Sequence, residues 1–294
     1  MKELVERPAR IPLLDALRGL SIILMIAYHA GVDLVMENLI PYGVLYNPLL
    51  GFLNPLFAGV FIVLAGISSR FSRSNLRRGL IALGCAVLVT AASLVILPAP
   101  FPSLRAALGF PVDNAEIGAL VLENRLSLSD NAAKAVAALG ADATESQVGG
   151  AAMRFYGSAS DLLGFPILIG ILHFMAACML LYWVLDKLSR LMRLDGEDLS
   201  LVLGVPLLAA FLWVYSGLGF WPDIPSSDYY PIMPWCLLFF LGVYLGGPIK
   251  ARKWPEWFYR FNVPFFPAIG RRTLIVYMAH QPIVYGIVLL IKLI

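Results

Sequence analysis

Residues 14–34 read LDALRGLSIILMIAYHAGVDL, an apolar run broken only by Asp15, Arg18, His29 and Asp33 among its ionisable groups. A helix rises about 1.5 Å per residue, so a run of this length matches a hydrocarbon core of about 30 Å. Backbone in lipid must satisfy its own hydrogen bonds, which makes the run a helix rather than a strand. Six further runs follow, at Pro55–Ser69, Leu80–Leu97, Leu162–Leu185, Leu199–Phe220, Ile232–Gly247 and Thr273–Leu293. The second is expected to start as early as Leu49 if a kink accommodates Pro55. The fold class is therefore all-α: a polytopic membrane helix bundle of about seven spans, forming a single domain over 1–294. Composition agrees, with 60% hydrophobic and 14% charged residues, where a soluble domain carries about 25% charged. Mean hydropathy is +0.79. The first run is long and reads as a permanent span, not as a cleavable signal peptide.

Orientation follows from lysine and arginine. The tail contributes three, segment 70–79 four, segment 186–198 three and segment 248–272 six, sixteen in all on one side. The opposite side holds five: Arg105, Arg125, Lys134, Arg154 and Lys292. Basic residues concentrate in cytoplasmic loops, so the N-terminus is expected inside and the C-terminus outside. The same rule explains the net charge of +3 without a nucleic-acid partner. Cys85, Cys178 and Cys236 all fall within apolar runs, which argues for packing residues and against a disulfide framework.

Segment 98–161 is the one sizeable stretch expected outside the lipid. Ser129, Asp130 and Asn131 precede AAKAVAALGA, an N-cap, an alanine-rich helix and a glycine stop. Asn114–Leu126 is expected as a second short helix. Pieces of this size are too small for an independent core. The segment is expected to cap the outer face, to make a homodimer contact, or both.

All three histidines, His29, His173 and His280, fall inside predicted spans. Ionisable groups within a membrane are costly and mark functional sites, so a shared interior site is expected. In the first span Asp15, Arg18, His29 and Asp33 form one stripe: Arg18 and His29 are eleven residues, about 16 Å, apart, and Asp15 lies three residues before Arg18, within pairing distance. In the last span Tyr277 and His280 share a face, and Pro282 releases the Met278 carbonyl beside them. His173 is expected near mid-membrane in the fourth span. The stretch DYYPIMPW at 228–235 carries interfacial anchors in Tyr229, Tyr230 and Trp235, but anchoring does not explain Asp228. Gly242 and Gly246 form a GxxxG, a sign of close helix packing.

No phosphate-binding GxxxxGK[ST], HExxH or GxSxG is present. No two histidines share a helix and none has a partner at ligand spacing, so no metal is expected. Three readings of the polar groups stay open at this point. They serve an enzyme, a transporter in which histidines relay protons, or a subunit in which they only bind helices together. The lack of a visible inverted repeat counts against the transporter.

Five pieces resemble the heparan-α-glucosaminide N-acetyltransferase-like group of bacterial membrane proteins, part of a wider transmembrane acyltransferase superfamily. They are LDALRGLSIILMIAYH at 14–29, FIVLAGISSRFS at 61–72, GILHFMA at 170–176, DYYPIMPW at 228–235 and IGRRTLIVYMAHQP at 269–282. The Arg18–His29 spacing and the last piece also resemble acyltransferase-3 enzymes. The resemblance implies transfer of an acyl group from acetyl-CoA or another acyl-CoA to an acceptor across a bacterial inner membrane, with His29 catalytic. Imidazole suits this chemistry as base or as acyl carrier. His280 and Tyr277 are expected to join it, one as donor to the developing oxyanion. Arg18, Arg271 and Arg272, with His173, are expected to bind the donor, the arginines through the CoA phosphates. Asp33, Asp228 and Tyr229 are expected on the side of a sugar or amine acceptor.

Overall fold

The computed structural model describes residues 10–37, 39–45, 47–97, 99–156, 159–164, 166–192, 200–216, 230–261 and 263–294. These residues form helices joined by turns. The long ones are α1 (Pro12–Met36), α3 (Pro48–Phe71), α4 (Asn75–Ile96), α10 (Ile171–Leu191), α11 (Ser200–Ser216), α12 (Ile232–Lys250) and α15 (Thr273–Lys292). Between them lie α2 (Tyr42–Leu45), α5 (Pro100–Ala107), α6 (Asn114–Leu122), α7 (Asp130–Ala137), α8 (Glu145–Met153), α9 (Ala159–Leu163), α13 (Glu256–Arg260) and α14 (Phe266–Gly270). Among the described residues, six helices are long and apolar enough to cross a membrane, and the apolar stretch Val202–Val214 of α11 is a shorter seventh. The chain is an integral membrane protein of the all-α, polytopic kind.

Local chemistry sets the helix starts. Pro12 opens α1 at a position whose missing N–H costs nothing, and Pro48 does the same for α3. The Asn47 side chain accepts a hydrogen bond from the Leu50 amide at 3.0 Å. The second span thus begins at the early limit, and Pro55 lies inside a helix that continues past it. The fourth span differs from the sequence expectation. It starts at Ile171 rather than Leu162 and places His173 in the first helical turn, not mid-span. Gly164 at φ +80°, Pro166 and Gly170 together break the helix that the apolar run alone suggests.

The chain divides into two compact units. The first contains 1–76, 178–215 and 233–294. Its core joins Ile11 and Leu14 of α1, Leu64 and Ile67 of α3, Ile249 of α12, and Phe258 and Tyr259 of α13. Two backbone crossings hold it together. Gly66 of α3 meets Gly242 of α12 so closely that a Cβ on Gly66 would lie 2.9 Å from the Val243 nitrogen. Gly246, the other glycine of the GxxxG, packs on Arg70. Gly19 of α1 crosses Gly270 of α14, where a Cβ on either would run into the opposite carbonyl.

The second unit contains 77–177 and 216–232. Its segment 98–161 is more ordered than the sequence suggests, because it builds a small core of its own. Ala99, Ile117, Leu120, Leu126, Ala152, Leu162 and Leu163 are all buried together. What makes this possible is the helix the sequence reading missed, α8, capped by Thr144 and Gln147 bonding reciprocally. Gly118 and Gly149 let α6 and α8 touch backbone to backbone. The Ser129 N-cap is present, its hydroxyl accepting from the Ala132 amide. The second short helix ends at Leu122 rather than Leu126.

Candidate active site

α1 and α15 pack side by side in the first unit and run parallel, the residue pairs rising together along both chains. His29 faces His280 with ring centroids 5.2 Å apart and planes tilted by 37°. Asp33 meets Gln281, whose amide donates to both carboxylate oxygens at 2.9 and 3.0 Å. Glu37, just past the end of α1, accepts from Tyr285 at 2.9 Å and pairs with Lys292 at 2.6 Å. These two bonds, Lys292 first, hold its carboxyl below the ordinary carboxylate range.

The two imidazoles are the chemically unusual pair. His280 is buried, and its Nδ1 sits against the Tyr277 carbonyl of its own helix. A carbonyl only accepts, so this contact makes Nδ1 the protonated nitrogen and leaves a lone pair on Nε2. That Nε2 is buried and has no hydrogen-bond partner. Nδ1 of His29 is likewise buried and makes no hydrogen bond of good geometry, although the Met25 backbone one turn back interacts with the ring. Buried polar atoms are nearly always paired, so two such atoms on facing rings stand out among the described residues. The Tyr277 ring lies 5.2 Å from His280, and the Tyr28 ring 6.3 Å from His29.

Near the start of α1, Arg18 donates to Asp15 at 2.8 Å, as the spacing suggests. It also reaches across to α3, to the Leu64 carbonyl at 3.4 Å and to the Ser68 hydroxyl. Its side chain keeps 20% exposure. Arg271 and Arg272 are exposed and follow directly on Gly270, the residue that crosses Gly19. The backbone of Arg271 and Arg272 thus begins beside Gly19, the residue that follows Arg18.

His173 belongs to the second unit, where its bonds form a closed chain. The Gly170 amide donates to Nδ1 at 3.3 Å, which assigns the proton to Nε2. Nε2 then donates to Thr90 Oγ1 at 3.3 Å, and that hydroxyl donates to the Ile167 carbonyl at 2.7 Å. Both ring nitrogens are satisfied, unlike those of the facing pair. The ring ties α4 to the irregular stretch before α10. Asp228 and Tyr229 lie outside the described residues. Tyr230, which follows them, donates its amide to the Ile169 carbonyl at 3.3 Å. Among the described residues, no three His, Cys, Asp or Glu side chains group closely enough to hold a metal ion.

The chain matches, over residues 10–101 and 164–282, the model of the family described as heparan-alpha-glucosaminide N-acetyltransferase, catalytic. The chain belongs to this family. No curated protein and no solved structure matches it. Membership in the heparan-alpha-glucosaminide N-acetyltransferase family makes it a protein of a membrane acetyltransferase family. The matched segments contain Arg18, His29, Asp33, His173, Tyr277, His280 and Gln281. The gap between them covers almost all of the outer segment, whose core is thus a feature of this chain beyond the family match.

Several of these partners were not singled out from the sequence. Gln281 was available to the same argument that selected the histidines, because an amide inside a span also needs a partner. Ser68 and Thr90 carry no such signal, since hydroxyls in spans commonly bond their own helix. Glu37, Tyr285 and Lys292 are brought together only by folding.

Proposed function

We propose that the protein transfers an acyl group, acetyl in the simplest case, from cytoplasmic acyl-CoA to a sugar hydroxyl or amine on the outer side of a bacterial inner membrane. The observation that carries this reading is the facing His29–His280 pair with its two orphaned ring nitrogens. Acyl transfer requires a group that takes a proton from the acceptor as the acceptor attacks the thioester carbonyl. A new C–O or C–N bond forms, the C–S bond breaks, and the proton passes through imidazole to the departing thiolate. His29 meets the substrate, either as this base or as the transient carrier of the acyl group. His280, with its Nε2 lone pair, takes the proton that His29 releases and passes it on to the departing thiolate, returning to the neutral ring. Tyr277 donates to the oxyanion of the tetrahedral intermediate.

Arg18, Arg271 and Arg272 bind the donor's phosphates from the side of the acyl-CoA pool, and His173 is a further donor-binding candidate. Asp228 and Tyr229 recognise the acceptor, Asp33 serves it only through Gln281, and segment 98–161 caps the outer face, pairs two copies of the chain, or both. Purified protein should release CoA thiol from acetyl-CoA over many turnovers only when glucosamine is present, and with donor alone should release at most one thiol per protein. With donor alone, an acetylated His29 found by mass spectrometry selects the carrier route, and its absence selects direct transfer. Failure to bind or consume acetyl-CoA would remove the proposal, and movement of an unmodified solute would favour a transporter.

A further inference from the structure

We infer that Asp33 is a positioning residue: its carboxylate clamps the Gln281 amide and so fixes α15 in the register at which His280 faces His29. The inference rests on the acyltransfer reading for its kinetic consequence, but not for its geometry. Asp33 is only 5% exposed and lies within a membrane-spanning helix. Burying a carboxylate there is expensive, and compensation is best supplied by a cation. Here both oxygens are instead given to the one Gln281 Nε2, at 2.9 and 3.0 Å. A neutral amide is a poor electrostatic match, so the pair is better explained by the geometry it enforces than by stability. A buried polar group that fixes helix register is a recognised use of such costly groups, and here Asp33 is the buried member while Gln281 is exposed.

The register at stake is specific. His29 and Asp33 are four residues apart and share a face of α1. Their partners, His280 and Gln281, are adjacent on α15 and therefore about 100° apart around its axis. The clamp thus fixes rotation of α15 as well as its height. Rotating α15 by one residue would bring a different side chain to His29 and turn the His280 imidazole aside. Glu37 adds a second tie further out, to Tyr285 and Lys292, but that tie sits at the helix end. Asp33 is the tie next to the imidazoles. With both oxygens committed to Gln281, it acts on transfer through the helix and not by touching the acceptor.

Two measurements on Asp33→Ala and Asp33→Asn test this. The first is carbethoxylation of His29 and His280 by diethylpyrocarbonate, read residue by residue by mass spectrometry without donor or acceptor. Asp33→Ala should raise the His280 rate severalfold as the ring loses its fixed place against α1. Asp33→Asn, which still bonds an amide, should return it to the parent value. The second is transfer from acetyl-CoA to glucosamine. Asp33→Ala should lower kcat about a hundredfold, the loss that a misplacement of about 1 Å produces, with KM for glucosamine unchanged. If Asp33→Ala does not fold, Gln281→Leu removes the same bond from the other helix and should raise the His280 rate alike. Unchanged His280 reactivity in these variants overturns the inference, as does a raised KM for glucosamine with kcat intact, which would make Asp33 an acceptor contact. Should the parent protein show no transfer at all, the proposed function fails while the reactivity measurement still decides the clamp.

Discussion

Replacing Gly19 by Ala puts a methyl carbon where the structure has the backbone of α14. A Cβ built there overlaps the Phe266 carbonyl oxygen, lies 2.9 Å from its carbon and 3.2 Å from the Gly270 nitrogen. Carbon atoms in good contact sit about 3.5–4.0 Å apart, so α14 must retreat by roughly 0.6–1.1 Å on that distance alone. No side chain rotamer relieves the overlap, because the neighbours are main chain. Overpacking of this kind costs about 1–3 kcal/mol. Because α14 leads within three residues into α15, the retreat also carries the base of the helix that holds His280. The assay is thermal unfolding in detergent followed by tryptophan fluorescence, with Gly286→Ala as the control. Gly286 is also helical and has open space around its Cα, so alanine there should be neutral or stabilise by up to about 1 kcal/mol. The double variant Gly19→Ala/Gly270→Ala should cost less than the sum of the singles, since one separation relieves both overlaps. A Gly19→Ala protein as stable as Gly286→Ala, or strictly additive effects at 19 and 270, would refute the crossing.

Thr90→Val removes the acceptor for His173 Nε2 and the donor to the Ile167 carbonyl while keeping the shape. It should cost about 1–3 kcal/mol in thermal stability for the polar groups left unpaired, and Thr90→Ser should restore most of it. Ile117→Ala, in the core of the outer segment, should cost about 2–5 kcal/mol locally. Proteolysis should then cut within 98–161 while the helices outside that segment stay intact. Glu37 titrates lower in the folded protein than in the unfolded chain, so its bonds to Lys292 and Tyr285 stabilise fully above the unfolded value. That stability is lost as pH falls through the lowered folded value. The melting temperatures of the parent and Glu37→Gln should therefore differ at neutral pH and converge in acid, measured by the same unfolding assay.

Much of the architecture was legible because lipid enforces it. An apolar run of the right length has to be a helix, and six of the runs are long spanning helices with a shorter seventh in α11. The stripe Asp15, Arg18, His29, Asp33 was readable from helical periodicity, and the Asp15–Arg18 pair follows from it. The start of α10 was not readable from hydropathy, because residues 162–170 are as apolar as a helix but carry Gly164, Pro166 and Gly170. Its displacement turns His173 from a mid-span candidate into a ring with both nitrogens bonded. Pairings between α1 and α15 join residues 248 positions apart, which no periodicity within one helix reveals. The outer segment was underestimated for another reason: its core is built by glycine contacts at Gly118 and Gly149, whose value depends on which helices cross.

The central claim is that His29 does the chemistry beside His280 while Arg18 serves donor binding, and one comparison separates it from a role in folding alone. His29→Ala and Arg18→Ala are purified, shown to be monodisperse in detergent, and measured separately for acetyl-CoA binding and for turnover with glucosamine. His29→Ala should bind acetyl-CoA nearly as the parent does and lose about 10²–10⁴-fold in turnover, the contribution of a positioned acid–base group. Arg18→Ala should instead weaken donor binding by about 2–3 kcal/mol. A well-folded His29→Ala protein with full turnover would contradict the account.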